Sequence, residues 1–468
     1  MRDKIKILDE CCRYTDLQLK QICEVSHNEI ELIYHVKSKE QLSLLTSLNA
    51  DKNIRIIKDH EYTCIVNDTY NLDFSFNDIL QKVVRDENLP LLYDRYFPKN
   101  RFGFKLKKSI LLYYADVSSE AAKVFLFLKK IQPDFLIFDS TPHDMISWIK
   151  ALIAESLGIK AIIPHNALIY GWKAASIGFR KDRKSIPINL DNTCRIKDYE
   201  DECVKFIDKL RSDYVSAMPD YEKNRFKRNN GKYINLSYLI RKHWYRPSWI
   251  YNTLACWKSL NKFSKKLDFV SGTGYFIFFL HYQPERTTLP EGYGFTQQLN
   301  AIMALRSCLP SNVMLLVKEH PSTFTNLCSP AARHSSFYQL VDKLKGVSWI
   351  DITTDNFALI DSALGTATIT GVVGIESLAR GIPTIYFGVP RKAEIYGQHI
   401  YKTGKGLKNF VQELISGNYL SENIKMDFEK KLKDDAKYSF KISPDELGRP
   451  EKLFILKWIM ENSNFRFL

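Results

Sequence analysis

At 468 residues the chain is too long for one ordinary hydrophobic core, and 45% hydrophobic with 13% aromatic content excludes extensive disorder. Its nine cysteines are odd in number and scattered without a C-x-x-C or ribbon spacing, which excludes a closed disulfide framework and a structural zinc module. The formal net charge of +14 is concentrated: between Lys223 and Lys266 lie twelve Lys or Arg residues and no acid.

In chain order, the first residues lack the apolar run of a signal peptide. No later stretch approaches the ~20 apolar residues that span a bilayer, so a reducing cytoplasm is the expected compartment. Short apolar runs at 31–35, 54–57, 62–66, 110–114, 135–138 and 161–163 read as strands. Helices are expected over 118–131 and 142–157; in the latter Met145, Ile149, Leu152 and Ile153 share a face and Gly158 supplies a stop. Strands separated by helices of this length imply βαβ units.

The run 135–138 ends in Asp139-Ser140-Thr141-Pro142-His143-Asp144. A group that deprotonates a hydroxyl must be a carboxylate or imidazole within reach, so Asp139 and His143 are the candidate catalytic residues. Asp139 could equally bond the turn, and Asp144, three residues after Thr141, reads as a capping residue. His165, after the run 161–163, is a further polar group at a strand end.

Residues 187–267 break the alternation. Beside the twelve cations stand Phe226, Tyr233, Tyr238, Trp244, Tyr245, Trp249, Tyr251, Trp257 and Phe263. Two readings stay open: contact with an anionic membrane surface, or a solvated connector whose aromatics pack on its neighbours. No recognition-helix, RRM-like or zinc-finger pattern accompanies the charge, so no nucleic-acid partner is expected.

From Gly274 the alternation resumes, with strands expected at 275–281, 313–318, 347–350, 366–369 and 384–387 and helices at 295–307, 335–345, 356–364 and 374–380. Three of these strands run into polar clusters: His281-Tyr282-Gln283-Pro284-Glu285, Lys318-Glu319-His320-Pro321, and Thr370 through Ser377. Ligands of an open parallel sheet bind outside the carboxyl ends of the strands, so these clusters should share a crevice. Gly371 and Gly374 would let backbone N–H groups approach an anion at the start of a helix, with Thr370 and Ser377 donating hydroxyls; a tight turn capped by Thr370 is the structural alternative. Gln283 and Glu285 could read a polar ligand, or belong to an irregular loop. Lys318 and His320 could meet phosphate charge. There is no G-x-G-x-x-G fingerprint for a dinucleotide and no D-x-D to hold a metal; no metal and no cofactor are expected.

The expected fold is therefore α/β, of GT-B type: two Rossmann-like domains facing a cleft, with a basic aromatic-rich insertion. Boundaries are placed at 1–185 for an acceptor-side domain, 186–270 for the basic helical linker, 271–410 for a donor-binding domain, and 411–468 for C-terminal helices crossing back to the first domain.

The series HYQPERTTLPEGYGFTQQL, LLVKEHPSTF, FYQLVDKL and TTDNFALIDSALGTATITGVVGIESLARGIPTIYFG resembles the bacterial capsule and surface polysaccharide glycosyltransferases, among them β-Kdo transferases and GT-B sialyltransferases. The likeness is close over about 115 residues, looser over 135–171, and not evident in the first 90 or so. It implies transfer of an acidic nonulosonate-type sugar (Kdo, sialic or pseudaminic) from a CMP-activated donor substrate to a glycan or glycolipid acceptor. It also implies a cytoplasmic enzyme peripheral to the inner face of the bacterial inner membrane. By position His320 would bind the donor phosphate, Thr370 and Ser377 would assist, and Glu376 would lie near the ribose or sugar. The acidic pair followed by Gly that serves sialyltransferases as base has no counterpart here. A teichoic-acid-type glycerophosphotransferase, a sugar-nucleotide epimerase and a non-catalytic membrane-associated assembly protein are the competing readings.

Overall fold

The computed structural model describes residues 4–9, 30–36, 54–67, 72–96, 110–169, 171–180, 182–187, 193–212, 224, 234–265, 274–283, 285, 287–325, 328, 333–390, 399–417, 419–441, 454–456, 458 and 459. The chain divides into unit 1, formed by Met1–Tyr93, Lys108–Tyr199 and Asp435–Leu468, and unit 2, formed by Asp94–Lys107 and Glu200–Asp434. Each unit is built on a largely parallel sheet with Rossmann-like winding, so the protein is α/β.

In unit 1 the strands are β1 (Ile5–Asp9), β2 (Ile30–Val36), β3 (Ile54–Lys58), β4 (Phe135–Ile137), β5 (Lys160–Asn166), β6 (Trp172–Ile177) and β7 (Lys184–Ser185). Five run parallel in the order β3-β2-β1-β4-β5, and β6 closes the sheet antiparallel to β5. The order reverses between β1 and β4, so this is the topological switch point. Asp9, the last residue of β1, pairs with Tyr34 on one side and Ile137 on the other.

Two expected strands of unit 1 are helices. Residues 62–66 lie within the helix Asp59–Asn67, and 110–114 open the 22-residue helix Ile110–Ile131. Tertiary packing outweighs the strand propensity of these runs: Tyr113, Val117, Ala121, Val124 and Leu128 recur at three- and four-residue spacing and are all buried. Tyr62 is wedged between His35, stacked at 4.1 Å, and Phe127, edge-on at 5.1 Å.

Unit 2 holds β8 (Tyr275–Phe279), β9 (Met314–Lys318), β10 (Val347–Trp349), β11 (Gly365–Thr368), β12 (Thr384–Tyr386) and β13 (His399–Ile400), all parallel, in the order β10-β9-β8-β11-β12-β13. Counted within the unit this is 3-2-1-4-5-6, with its switch point between β8 and β11. The strand YFIFF is apolar throughout because both faces are covered. Phe276 and Phe278 pack with Ala301, Ile302 and Leu305, while Tyr275, Ile277 and Phe279 pack with Phe357, Leu359 and Ile360.

The helix Pro247–Phe263, within the segment expected as a linker, contributes Cys256 and Leu260 to that same core. The last strand, β14 (Phe440–Lys441), pairs with β6 in unit 1. Among the described residues no helix is long and apolar enough to cross a membrane.

Candidate functional site

At the switch point of unit 2 a cavity of about 200 Å³ opens among the ends of β8, β9 and β11. Of the residues expected to bind a donor, Glu285, Lys318, His320, Thr370, Gly371 and Glu376 line it, together with His281, Thr287, Glu319 and Asn356. Pro284 and Arg286 lie outside the described residues.

The cavity depends on His281. Its Nε2 accepts the backbone N–H of Thr370 at 3.1 Å and lies 3.2 Å from the Thr368 hydroxyl. An acceptor nitrogen carries no proton, so Nδ1 holds it and donates to Glu285 Oε2 at 3.2 Å. Gln298 grips the His281 backbone both ways, accepting from its N–H at 2.7 Å and donating to its carbonyl at 3.1 Å. Burial would raise the Glu285 pKa, but the hydrogen bond from His281 and favourable electrostatic interaction with the His281 and His320 rings hold it below the ordinary carboxylate value.

His320 takes the opposite tautomer. Its Nδ1 accepts the backbone N–H of Ser322 at 3.1 Å, which leaves the proton on Nε2 as a donor. Neighbouring Lys318 is 3% exposed, and its ammonium donates to Asn356 Oδ1 at 2.6 Å. An ammonium and an imidazole N–H on the wall of one cavity are groups that can meet an anion.

Between these two residues Glu319 turns inward. Its carboxylate pairs with Arg333 at 3.0 Å and accepts from the Tyr338 hydroxyl at 2.7 Å, the His320 N–H at 2.9 Å and Thr323 at 3.2 Å. Burial and then the Glu319 charge push the Tyr338 pKa well above its ordinary value. For Arg333 burial opposes the charge, yet Glu319 more than offsets it and the pKa is raised. The Lys-Glu-His triplet is thus an ammonium and an imidazole lining the cavity on either side of one structural anion.

Three expected donor-binding residues do not line the cavity. Ser377 is fully buried and its hydroxyl bonds within the fold, donating to the Val373 carbonyl at 2.8 Å and accepting from Thr366 at 2.9 Å. Gly374 is where the helix Val373–Ala379 meets β12: a Cβ there would stand 2.0 Å from the Tyr386 hydroxyl. Gln283 donates to Thr288 Oγ1 at 2.9 Å and braces its own loop. Thr370 lines the cavity without capping the helix, since its hydroxyl donates to the Thr287 carbonyl at 2.6 Å and Val372 is the N-cap residue. Gly371 is required by close approach, a Cβ there lying 2.7 Å from Thr368 Oγ1 and 3.3 Å from His281 Nε2.

No protein-family model and no curated protein matches this chain. Among solved structures it is similar to a β-Kdo 2,4 transferase, KpsC of Thermosulfurimonas dismutans (12% identity, 69% of this chain and 87% of that chain, TM-score 0.34). It is also similar to the β-Kdo 2,7 transferase KpsC of the same organism (14%, 80% and 96%, TM-score 0.31). A third is the UDP-GlcNAc 2-epimerase of Neisseria meningitidis bound to UDP-GlcNAc (11%, 98% and 100%, TM-score 0.22).

Unit 1 has a cavity at the corresponding place in its own sheet, about 370 Å³, lined by Asp9, His35, Asp139, Ser140, His143 and Lys150 among others. Both candidate catalytic residues are in it. His143 Nδ1 donates to the Thr141 carbonyl at 3.0 Å, since a carbonyl can only accept. Asp144 caps the helix Met145–Ser156 by accepting the Ser147 N–H at 3.0 Å. His165 belongs to β5 and lines neither cavity. Asp9, 2% exposed at the end of β1, was not singled out by sequence, although a carboxylate closing the run IKILD carries the same signal as Asp139. Asn356 and Arg333 had no such signal, because each meets its partner, Lys318 and Glu319 respectively, only once the chain has folded. Among the described residues no cluster of three or more His, Cys, Asp or Glu side chains could hold a metal ion.

Proposed function

We propose that this protein is a glycosyltransferase of surface polysaccharide synthesis. It moves an acidic nonulosonate-type sugar from a CMP-activated donor to a glycan acceptor at the cytoplasmic face of the membrane. The observation that carries the reading is the lining of the two cavities: Lys318 and His320 line the one in unit 2, and His143, Asp139 and Asp9 the one in unit 1. A transferase needs both functions, one to stabilise charge on a departing nucleotide phosphate and one to accept the proton of an attacking hydroxyl. In this reading His320 Nε2–H and Lys318 hold the donor phosphate in unit 2, with Glu376 toward the ribose or sugar. His143 Nε2 is the base for the acceptor in unit 1, its ring oriented by the Thr141 carbonyl that accepts from Nδ1. The sugar identity rests on the motif resemblance.

The test is incubation with CMP-Kdo, CMP-sialic-type, CDP-glycerol and UDP-GlcNAc donors, following nucleotide release and product. Release of CMP with glycan extension is expected. Turnover of CDP-glycerol alone would make it a glycerophosphotransferase, conversion of UDP-GlcNAc alone an epimerase, and function surviving His320→Ala a scaffold.

A further inference from the structure

The basic segment supplies two helices of unit 2 with different allegiances. In Pro247–Phe263, Asn252, Cys256 and Leu260 recur at four-residue spacing and are buried, and the Asn252 amide donates to the carbonyls of Cys328 at 3.1 Å and Arg333 at 2.8 Å. This helix is part of the core. The shorter helix Leu236–His243 buries Leu239 and turns an apolar stripe outward: Leu236 is 46% exposed, Ile240 50%, and Trp244, which caps the helix, 64%. Spacing of four residues places these three within one 100° face. Exposed Arg241 borders the stripe and Arg246 follows it, Lys242 lies on the far side of the helix with its ammonium on the Tyr238 hydroxyl at 2.8 Å, and no acid occurs anywhere from Lys223 to Lys266.

Single exposed apolar residues need no explanation, but an aligned Leu, Ile and Trp in a stretch whose charged residues are all cations do. We infer that the helix Leu236–His243, with Trp244, lies on an anionic lipid surface. Leu236, Ile240 and the indole enter the boundary between headgroups and acyl chains, Arg241 and Arg246 meet lipid phosphates, and the charge of Lys242 adds to the attraction at longer range. A nucleic-acid strand would also satisfy the cations, but it offers nothing to the aliphatic side chains of Leu236 and Ile240. The inference is independent of the nucleotide reading, and the two fail in different assays.

The experiment is co-sedimentation of the full chain with vesicles of phosphatidylcholine alone and of phosphatidylcholine containing roughly a third phosphatidylglycerol, with single-stranded RNA as a competitor. Binding only to the anionic vesicles, weakened by salt, is expected. Arg241→Gln with Lys242→Gln should lower partitioning on the order of ten- to thirtyfold. Ile240→Ser with Trp244→Ser should lower it by on the order of tenfold or more at unchanged charge. All four positions are exposed, so urea midpoints should match the parent chain, and each pair tests the inference if the other fails to fold. Absence of binding, equal binding to neutral vesicles, wild-type binding by either double variant, or displacement of vesicles by RNA would each overturn it.

Discussion

His281 accepts the backbone N–H of Thr370 through Nε2 at 3.1 Å, a bond between residues 89 apart that ties the loop after β8 to the turn after β11 across the switch point. Replacing the ring by His281→Ala leaves that N–H unpaired and strips Glu285 of its donor. A loss of about 1–3 kcal/mol in urea unfolding is expected, and an unchanged midpoint would show that the loops hold without the clamp.

Glu285 gives this clamp a pH signature. Its folded pKa lies below its unfolded value, so its contribution is fully present above the unfolded carboxyl pKa of about 4.3 and is lost as pH falls through the folded value. The stability difference between the parent chain and Glu285→Gln should therefore be flat from neutral pH down to roughly pH 5 and shrink below it. Denaturant titrations across that range measure it; a difference that grew on acidification would contradict the sign.

Ser377→Ala and His320→Ala separate structure from binding. The first removes a buried hydroxyl bonded to Thr366 and should cost about 1 kcal/mol of stability while leaving nucleotide affinity unchanged. The second should weaken CMP binding on the order of tenfold to a hundredfold, as expected for loss of a hydrogen bond to a charged group. Isothermal titration reads both. Weaker CMP binding by Ser377→Ala would return that hydroxyl to the ligand.

The buried pair Glu319 and Arg333 predicts a larger effect. Arg333→Met abandons a carboxylate that is 1% exposed, at an expected cost of about 3–5 kcal/mol. Adding Glu319→Gln should recover part of that cost in a double-mutant cycle. Purely additive losses would mean that the two charges are not coupled.

In unit 1, His143→Ala should lower turnover on the order of 10²- to 10⁴-fold while CMP binding stays as in the parent chain. Turnover within a few-fold of the parent would pass the role of base to Asp139 or Asp9, which the corresponding Asn variants would then reveal.

The α/β class and the strands of unit 2 were legible because strands buried on both faces must be apolar to their ends, so the polar residues that follow mark where the sheet stops. YFIFF before His281 and MLLV before Lys318 show this directly. Residues 62–66 and 110–114 misled for the complementary reason: an apolar run of five residues has no period long enough to separate strand from helix, and burial against Phe127 or along Val117 and Ala121 decided it. The short strand WKAASI, half of it small residues, gave no such signal.

By itself, then, the sequence determined which strand ends carry polar groups, Lys318 and His320 after one strand and Asp139 and His143 after another, and the structure places them on the walls of two switch-point cavities. Only the tertiary structure decided what each group is free to do. Hydrogen-bond partners arrive from elements far apart in the chain: Thr370 claims one nitrogen of His281, Thr366 the hydroxyl of Ser377, and Arg333 the carboxylate of Glu319. A polar atom at a strand end serves a ligand only if the fold has not already bonded it, and the three-dimensional packing settles that.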